Sequence, residues 1–113
     1  MSSDKIETVE YLQDGKSLFT KWFNSLDAAP AARVTTALYK LESGNFLNVK
    51  SAGRGVMEHR IDSGPGYRIY FGRDGDKLII LLGGGRKRTQ SKDIDKAQVL
   101  WRRYKADKKY KGR

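Results

Sequence analysis

Glu58 and Arg60 sit two residues apart in one alternating stretch, and Arg68 and Tyr70 sit two apart in the next. The basic triplet Arg86-Lys87-Arg88 follows three consecutive glycines. If the two stretches are neighbouring strands, side-chain alternation brings Glu58, Arg60, Arg68 and Tyr70 to one face. Met57, His59 and Ile61, with Tyr67, Ile69 and Phe71, then take the other. One carboxylate, one phenol and up to five cations would share a surface. That set suits RNA cleavage without a metal. The 2′-hydroxyl attacks its own phosphate once a base removes its proton, and cations stabilise the anionic transition state. Arginine suits this because its planar fork engages two phosphate oxygens together. Glu58 is the available base, with Lys87 or Arg60 to assist proton transfer. A surface ion pair of Glu58 with Arg60 or Arg68 accounts for the same residues equally well.

Other chemistries find less support. His59 titrates near neutrality in general, but alternation seats it beside Met57 and Ile61, as a hydrogen-bonded core histidine. Gly83-Gly84-Gly85 before a helix resembles a phosphate-cradling loop, yet the Gly-Lys-Ser/Thr of a P-loop is missing. Nucleotide hydrolysis is therefore disfavoured. With no cysteine and one histidine, thiolate zinc sites are excluded and a metal cage is not expected. No cofactor is implied.

The elements that must position these residues follow from periodicity. Residues 5–13 carry a mixed strand signal that Asp14-Gly15 breaks. Leu18, Phe19, Trp22, Phe23 and Leu26 recur at helical spacing from Ser17. Asp27-Ala28-Ala29-Pro30 starts a second helix, with Val34, Ala37, Leu38 and Leu41 on one stripe and a stop at Gly44. The two helices should form an antiparallel hairpin. Residues 45–54 read as a loop with Lys50 exposed. Strands are expected over Val56–Ile61, Tyr67–Arg73 and 77–82, joined by a turn at Ser63-Gly64-Pro65-Gly66 and a hairpin at Asp74-Gly75. The third is apolar on both faces, as a central strand should be, and the glycines end it. Ser91 caps a last helix with Ile94, Ala97, Trp101 and Tyr104 buried and Lys92, Lys96 and Arg103 along one face. Beyond Tyr104 the chain is expected to fray. The predicted class is α+β in the order β-α-α-β-β-β-α, with an antiparallel sheet covered by helices on one face and partly open on the other. One domain spans 1–104, and 105–113 form a basic tail.

The 113 residues carry a net charge of +10, placed unevenly. Residues 1–85 hold 11 Lys and Arg against 10 Asp and Glu, whereas residues 86–113 hold 12 against 3. A neutral body with a basic end points to a polyanion such as RNA. No apolar run approaches a membrane span and no secretion signal is evident, so a cytoplasmic location is expected.

Several of these residues fall into a recognisable pattern. Gly66-Tyr67-Arg68-Ile69-Tyr70-Phe71, Leu81-Leu82-Gly83-Gly84, then Lys87, Gln90 and Asp93-Ile94 resemble the addiction-module killer branch of the RelE/ParE toxin superfamily, related to the HigB toxins. Trp22-Phe23 with Leu26, Leu41-Glu42 with Gly44-Asn45, and Glu58 with Arg60-Ile61 add to the likeness, which covers nearly the whole domain. The resemblance implies the toxin of a type II toxin–antitoxin system, an endoribonuclease that cuts mRNA on the ribosome and stops translation. Its implied partners are the ribosome, mRNA and a small helix-turn-helix antitoxin. It assigns Arg68 to the scissile phosphate, Arg60 to a basic strand position and Lys87 to the basic loop. Arg86, Arg88, Lys50, Tyr70 and Lys92 are expected RNA contacts. Glu58 stands where RelE-type toxins often carry lysine, and no tyrosine follows the basic loop. Two other functions fit the superfamily or the charge: a ParE-like poison of DNA gyrase, and an RNA- or ribosome-binding module that does not cut.

Overall fold

The computed structural model describes residues 5–62 and 64–110. Met1 to Asp4, Ser63 of the expected turn and residues 111–113 of the expected tail lie outside them. The elements run β1 (Glu7–Glu10), α1 (Leu18–Asn24), α2 (Ala28–Glu42), β2 (Val49–Gly53), β3 (Val56–Ile61), β4 (Tyr67–Arg73), β5 (Leu78–Arg86), a 3-10 turn (Lys87–Thr89) and α3 (Gln90–Tyr110). The α+β class and the helical hairpin stand as read from the sequence. Ser17 caps α1 by accepting a hydrogen bond from the Thr20 amide at 3.0 Å. Gly44, with φ of +81°, ends the second helix.

One five-stranded sheet runs in the order β1-β5-β4-β3-β2. β1 lies parallel to β5, and the remaining pairs are antiparallel. The loop expected over 45–54 is in part a strand. β2 pairs with β3, and Gly53, Arg54 and Gly55 form the tight turn between them at positive φ. β2 escaped notice because it is an edge strand whose Lys50 and Ser51 face solvent, which leaves no apolar alternation to read. Nor do the three glycines end β5. They continue its pairing, with Gly83, Gly84 and Gly85 opposite Tyr70, Ile69 and Arg68.

Both faces of the sheet are covered, which corrects the expectation of an open face. Ile69, Phe71, Ile79 and Leu81 pack with Phe19, Val34, Ala37 and Leu41 beneath α1 and α2. Val56, Tyr70, Ile80 and Leu82 pack with Ala97, Leu100 and Trp101 of α3. Since β5 is apolar on both sides, leaving either side wet would expose a row of Ile and Leu at a cost of about 1.5–3 kcal/mol for each side chain. Gly72 lets α3 come close, for a Cβ there would lie 2.4 Å from the Trp101 ring. α3 starts at Gln90, one residue before the expected Ser91 cap, and it does not fray after Tyr104. Asp74 holds its distal half, accepting from the Tyr104 hydroxyl and from Lys108 Nζ, both at 2.5 Å. Among the described residues, no helix is long and apolar enough to cross a membrane.

Candidate functional site

The register of β3 against β4 sets the site. Glu58 lies opposite Tyr70, and Arg60 lies opposite Arg68. One strand outward, Lys50 lies opposite Glu58. On the inner side Gly83 and Gly85 leave the rows without a side chain. The rows Lys50–Glu58–Tyr70 and Arg60–Arg68 therefore run side by side, as alternation required.

Their exposure is not what the sequence suggested. Glu58, Arg68 and Tyr70 are 2 %, 3 % and 0 % exposed, because the start of α3 lies over them. A buried ion pair persists only when hydrogen bonds replace the lost water, and here they do. Glu58 Oε2 accepts from Arg68 Nε at 3.0 Å, from Gln90 Nε2 at 2.7 Å and from the Tyr70 hydroxyl at 3.4 Å. Arg68 Nη1 also donates to the Gly66 carbonyl at 2.8 Å. Gln90 is the partner that the search for charged groups passed over. It stood within the motif that carries the family resemblance, directly after the basic loop, and that was the signal available.

Around this buried pair lies an arc of cations. The Lys87 amide donates to the Gly66 carbonyl at 2.9 Å, which pins the basic turn against the β3–β4 connection. A Cβ on Gly66 would lie 3.3 Å from Arg68 Nη1 and 3.6 Å from Lys87 Cβ, so Arg68 and Lys87 flank that glycine. Arg60 is partly buried, and its Nε is out of water with no hydrogen-bond partner. Lys50, Arg86, Lys87 and Arg88 are exposed. Lys92 does not join them. With Arg86 it lines a separate cleft beside Trp22 and Tyr67.

The acid–base character of the cluster follows from its surroundings. Burial first, and then the negative charge of Glu58, push the Tyr70 phenol up, so it is a neutral donor rather than a base. His59 is buried on the opposite face, where burial and then Lys40 lower its pKa. Its Nδ1 makes no hydrogen bond to the protein, unlike the bonded core histidine expected. Arg68 thus pairs with Glu58, Arg60 lies opposite Arg68 and Lys87 flanks Gly66 beside it, while Asp93 adds a second negative charge near the Tyr70 phenol. Such a surplus in a poorly hydrated corner attracts a phosphate.

Residues 21–105 match the family described as Phage derived protein Gp49-like (DUF891), and the chain belongs to that family. The family is associated with the RelE-like toxins of toxin–antitoxin systems. A relative from Haemophilus influenzae, described as an uncharacterized protein, is 42% identical over 83 residues, covering 73% of this chain and 84% of its own length.

Proposed function

We propose that this chain is the toxin of a type II toxin–antitoxin pair and that it cuts mRNA on the ribosome without a metal, as in the HigB-like branch. The observation that carries this reading is the cationic surplus at Arg60, Arg68 and Lys87, with Arg60 Nε lacking a partner. A scissile phosphate would supply the missing acceptor. Arg60 and Lys87 then stabilise the phosphorane, while Arg68, held by Glu58 and the Gly66 carbonyl, adds its charge from behind. Glu58 takes the 2′-hydroxyl proton once Gln90 has withdrawn from it, and the 5′-oxygen leaves with a proton from water or Lys87. Lys50, Arg86 and Arg88 draw in the flanking backbone, and Lys92 a more distant part of it. An acidic antitoxin segment would neutralise the same arc.

A second reading, binding to RNA or the ribosome without cutting, draws support from the occupied state of Glu58. Primer extension on mRNA from cells expressing the chain separates the two. The nuclease gives discrete cleavage ends that disappear with Arg60→Ala and with Lys87→Ala. Growth arrest without such ends would sink the nuclease reading and favour binding alone. Arg68→Ala is a poorer test, because it also strands Glu58 in the interior.

A further inference from the structure

β1 pairs with β5 only over residues 78–81. Beyond Leu81, among the described residues, β5 has a strand neighbour on the β4 side alone. Its other edge, over residues 82–86, forms the floor of a cleft between α1 and the first half of α3. The cleft holds about 460 Å³ and opens into a second hollow of about 280 Å³ that shares Trp22, Ser25, Gly84, Asp93 and Lys96. That volume is within the usual range of small-ligand sites. The floor is glycine backbone with Trp22 and Asp93 packed directly against it, for a Cβ on Gly84 would lie 2.2 Å from the Trp22 ring and one on Gly85 would lie 1.9 Å from Asp93 Oδ2.

We infer that this cleft seats one nucleotide of the RNA, next to the one whose phosphate meets Arg60, Arg68 and Lys87; the inference rests on the nuclease reading above. Four cations, Lys21, Arg86, Lys92 and Lys96, rim the two hollows against Asp27 and Asp93. Asp93 is already engaged by the Thr89 hydroxyl at 2.5 Å. The rim therefore favours a phosphate, while Trp22 and Tyr67 offer ring surface to a base. The Thr89 hydroxyl takes the Arg86 N–H and C=O at 3.4 and 3.3 Å, and the backbone groups of the edge before Arg86 can match the donor and acceptor edges of a base. Continuity separates this ligand from an acidic peptide. Arg86 lines the cleft, and the next residue, Lys87, flanks Gly66 beside Arg68. A single strand passing over the basic turn meets both places in succession. The cleft thus becomes a place where base identity is read.

The test uses the full-length protein and a short single-stranded RNA with 2′-O-methyl groups, which binds but cannot be cut. The chain has two tryptophans, so Trp101→Phe leaves Trp22 as the reporter. The difference in quenching between wild type and Trp22→Phe gives the same signal if that variant folds poorly. The RNA is expected to quench Trp22, and Lys92→Glu with Lys96→Glu to weaken binding about ten-fold or more. The same double variant should shift base preference beside the cut in primer extension. If RNA binds by anisotropy and wild type cleaves, but Trp22 emission and base preference do not move, the cleft inference fails and the nuclease reading stands. Absence of both cleavage and RNA binding overturns the two together. Quenching by an acidic peptide and not by RNA assigns the cleft to a protein partner and overturns the inference.

Discussion

Glu58 Oε2 accepts from Arg68, Gln90 and Tyr70 at once, and Arg68 is almost wholly withdrawn from water. Removing one partner of such a pair leaves the other charged and buried. Arg68→Ala is therefore expected to cost about 3–5 kcal/mol in urea unfolding, and Glu58→Gln combined with Arg68→Met to cost less than the two single changes added. His59 gives a pH signature from the other face. Burial and Lys40 lower its folded pKa below the ordinary 6.5, so the unfolded chain takes up the proton first. Stability is then full above about pH 6.5 and falls as pH drops towards the folded value. Thermal unfolding at pH 7.5 and 5.5 should show this loss, and His59→Met should reduce it. Alternation alone grouped Glu58, Arg60, Arg68 and Tyr70 correctly, and it left open their use as an ion pair, which is what forms. Their burial was not legible, because it depends on where a helix that starts 32 residues beyond Glu58 comes to rest, as the Gln90 contact to Glu58 shows.

Among the elements, α3 carries the most consequence, and its seat depends on Gly72. A Cβ there would intrude on the Trp101 ring at 2.4 Å. Gly72→Ala is expected to cost about 1–3 kcal/mol, the usual penalty of overpacking, with a red shift of Trp101 emission. Trp101→Leu should relieve much of that cost in the double variant. Helices α1 and α2 were legible because their apolar stripes repeat with period 3.6 and their ends carry Ser17, Asp27 and Gly44. β2 was not, because an edge strand with Lys50 and Ser51 in solvent has no pattern to show. Gly83-Gly84-Gly85 misled for a related reason. Glycine marks both a chain break and a strand that something else approaches closely, and only the positions of Trp22 and Asp93 tell the two apart.

At the scale of the molecule, the basic residues gather in two places, Lys50, Arg60 and the basic turn beside the buried pair, and Lys92 and Lys96 at the separate cleft that Arg86 also lines. Binding of single-stranded RNA should weaken linearly in log salt, with each phosphate contact adding about 0.7 to the slope. Anisotropy titrations of Lys50→Ala and Lys87→Ala should each reduce the slope by about that much if both meet phosphates. An unchanged slope would remove the residue from the interface. The net charge of +10 was plain in the composition; the seat of the basic turn against the β3–β4 connection was not, since it comes from the Lys87 amide donating to the Gly66 carbonyl.

The parallel pairing of β1 with β5 sets a condition on how the chain matures. Glu7 must find Leu78, and the second face must wait for α3. Contacts so distant in sequence slow folding, and during synthesis β1 has no strand partner until β5 has emerged. Apolar surface on the helical hairpin stays uncovered through that interval, a window in which a chaperone or cognate partner can engage the nascent chain. The site, built from β3, β4, the basic turn and α3, is complete only once α3 has joined the sheet. A chain that has formed only as far as β4 therefore carries Glu58 and Arg68 without the Gln90 contact that closes over them.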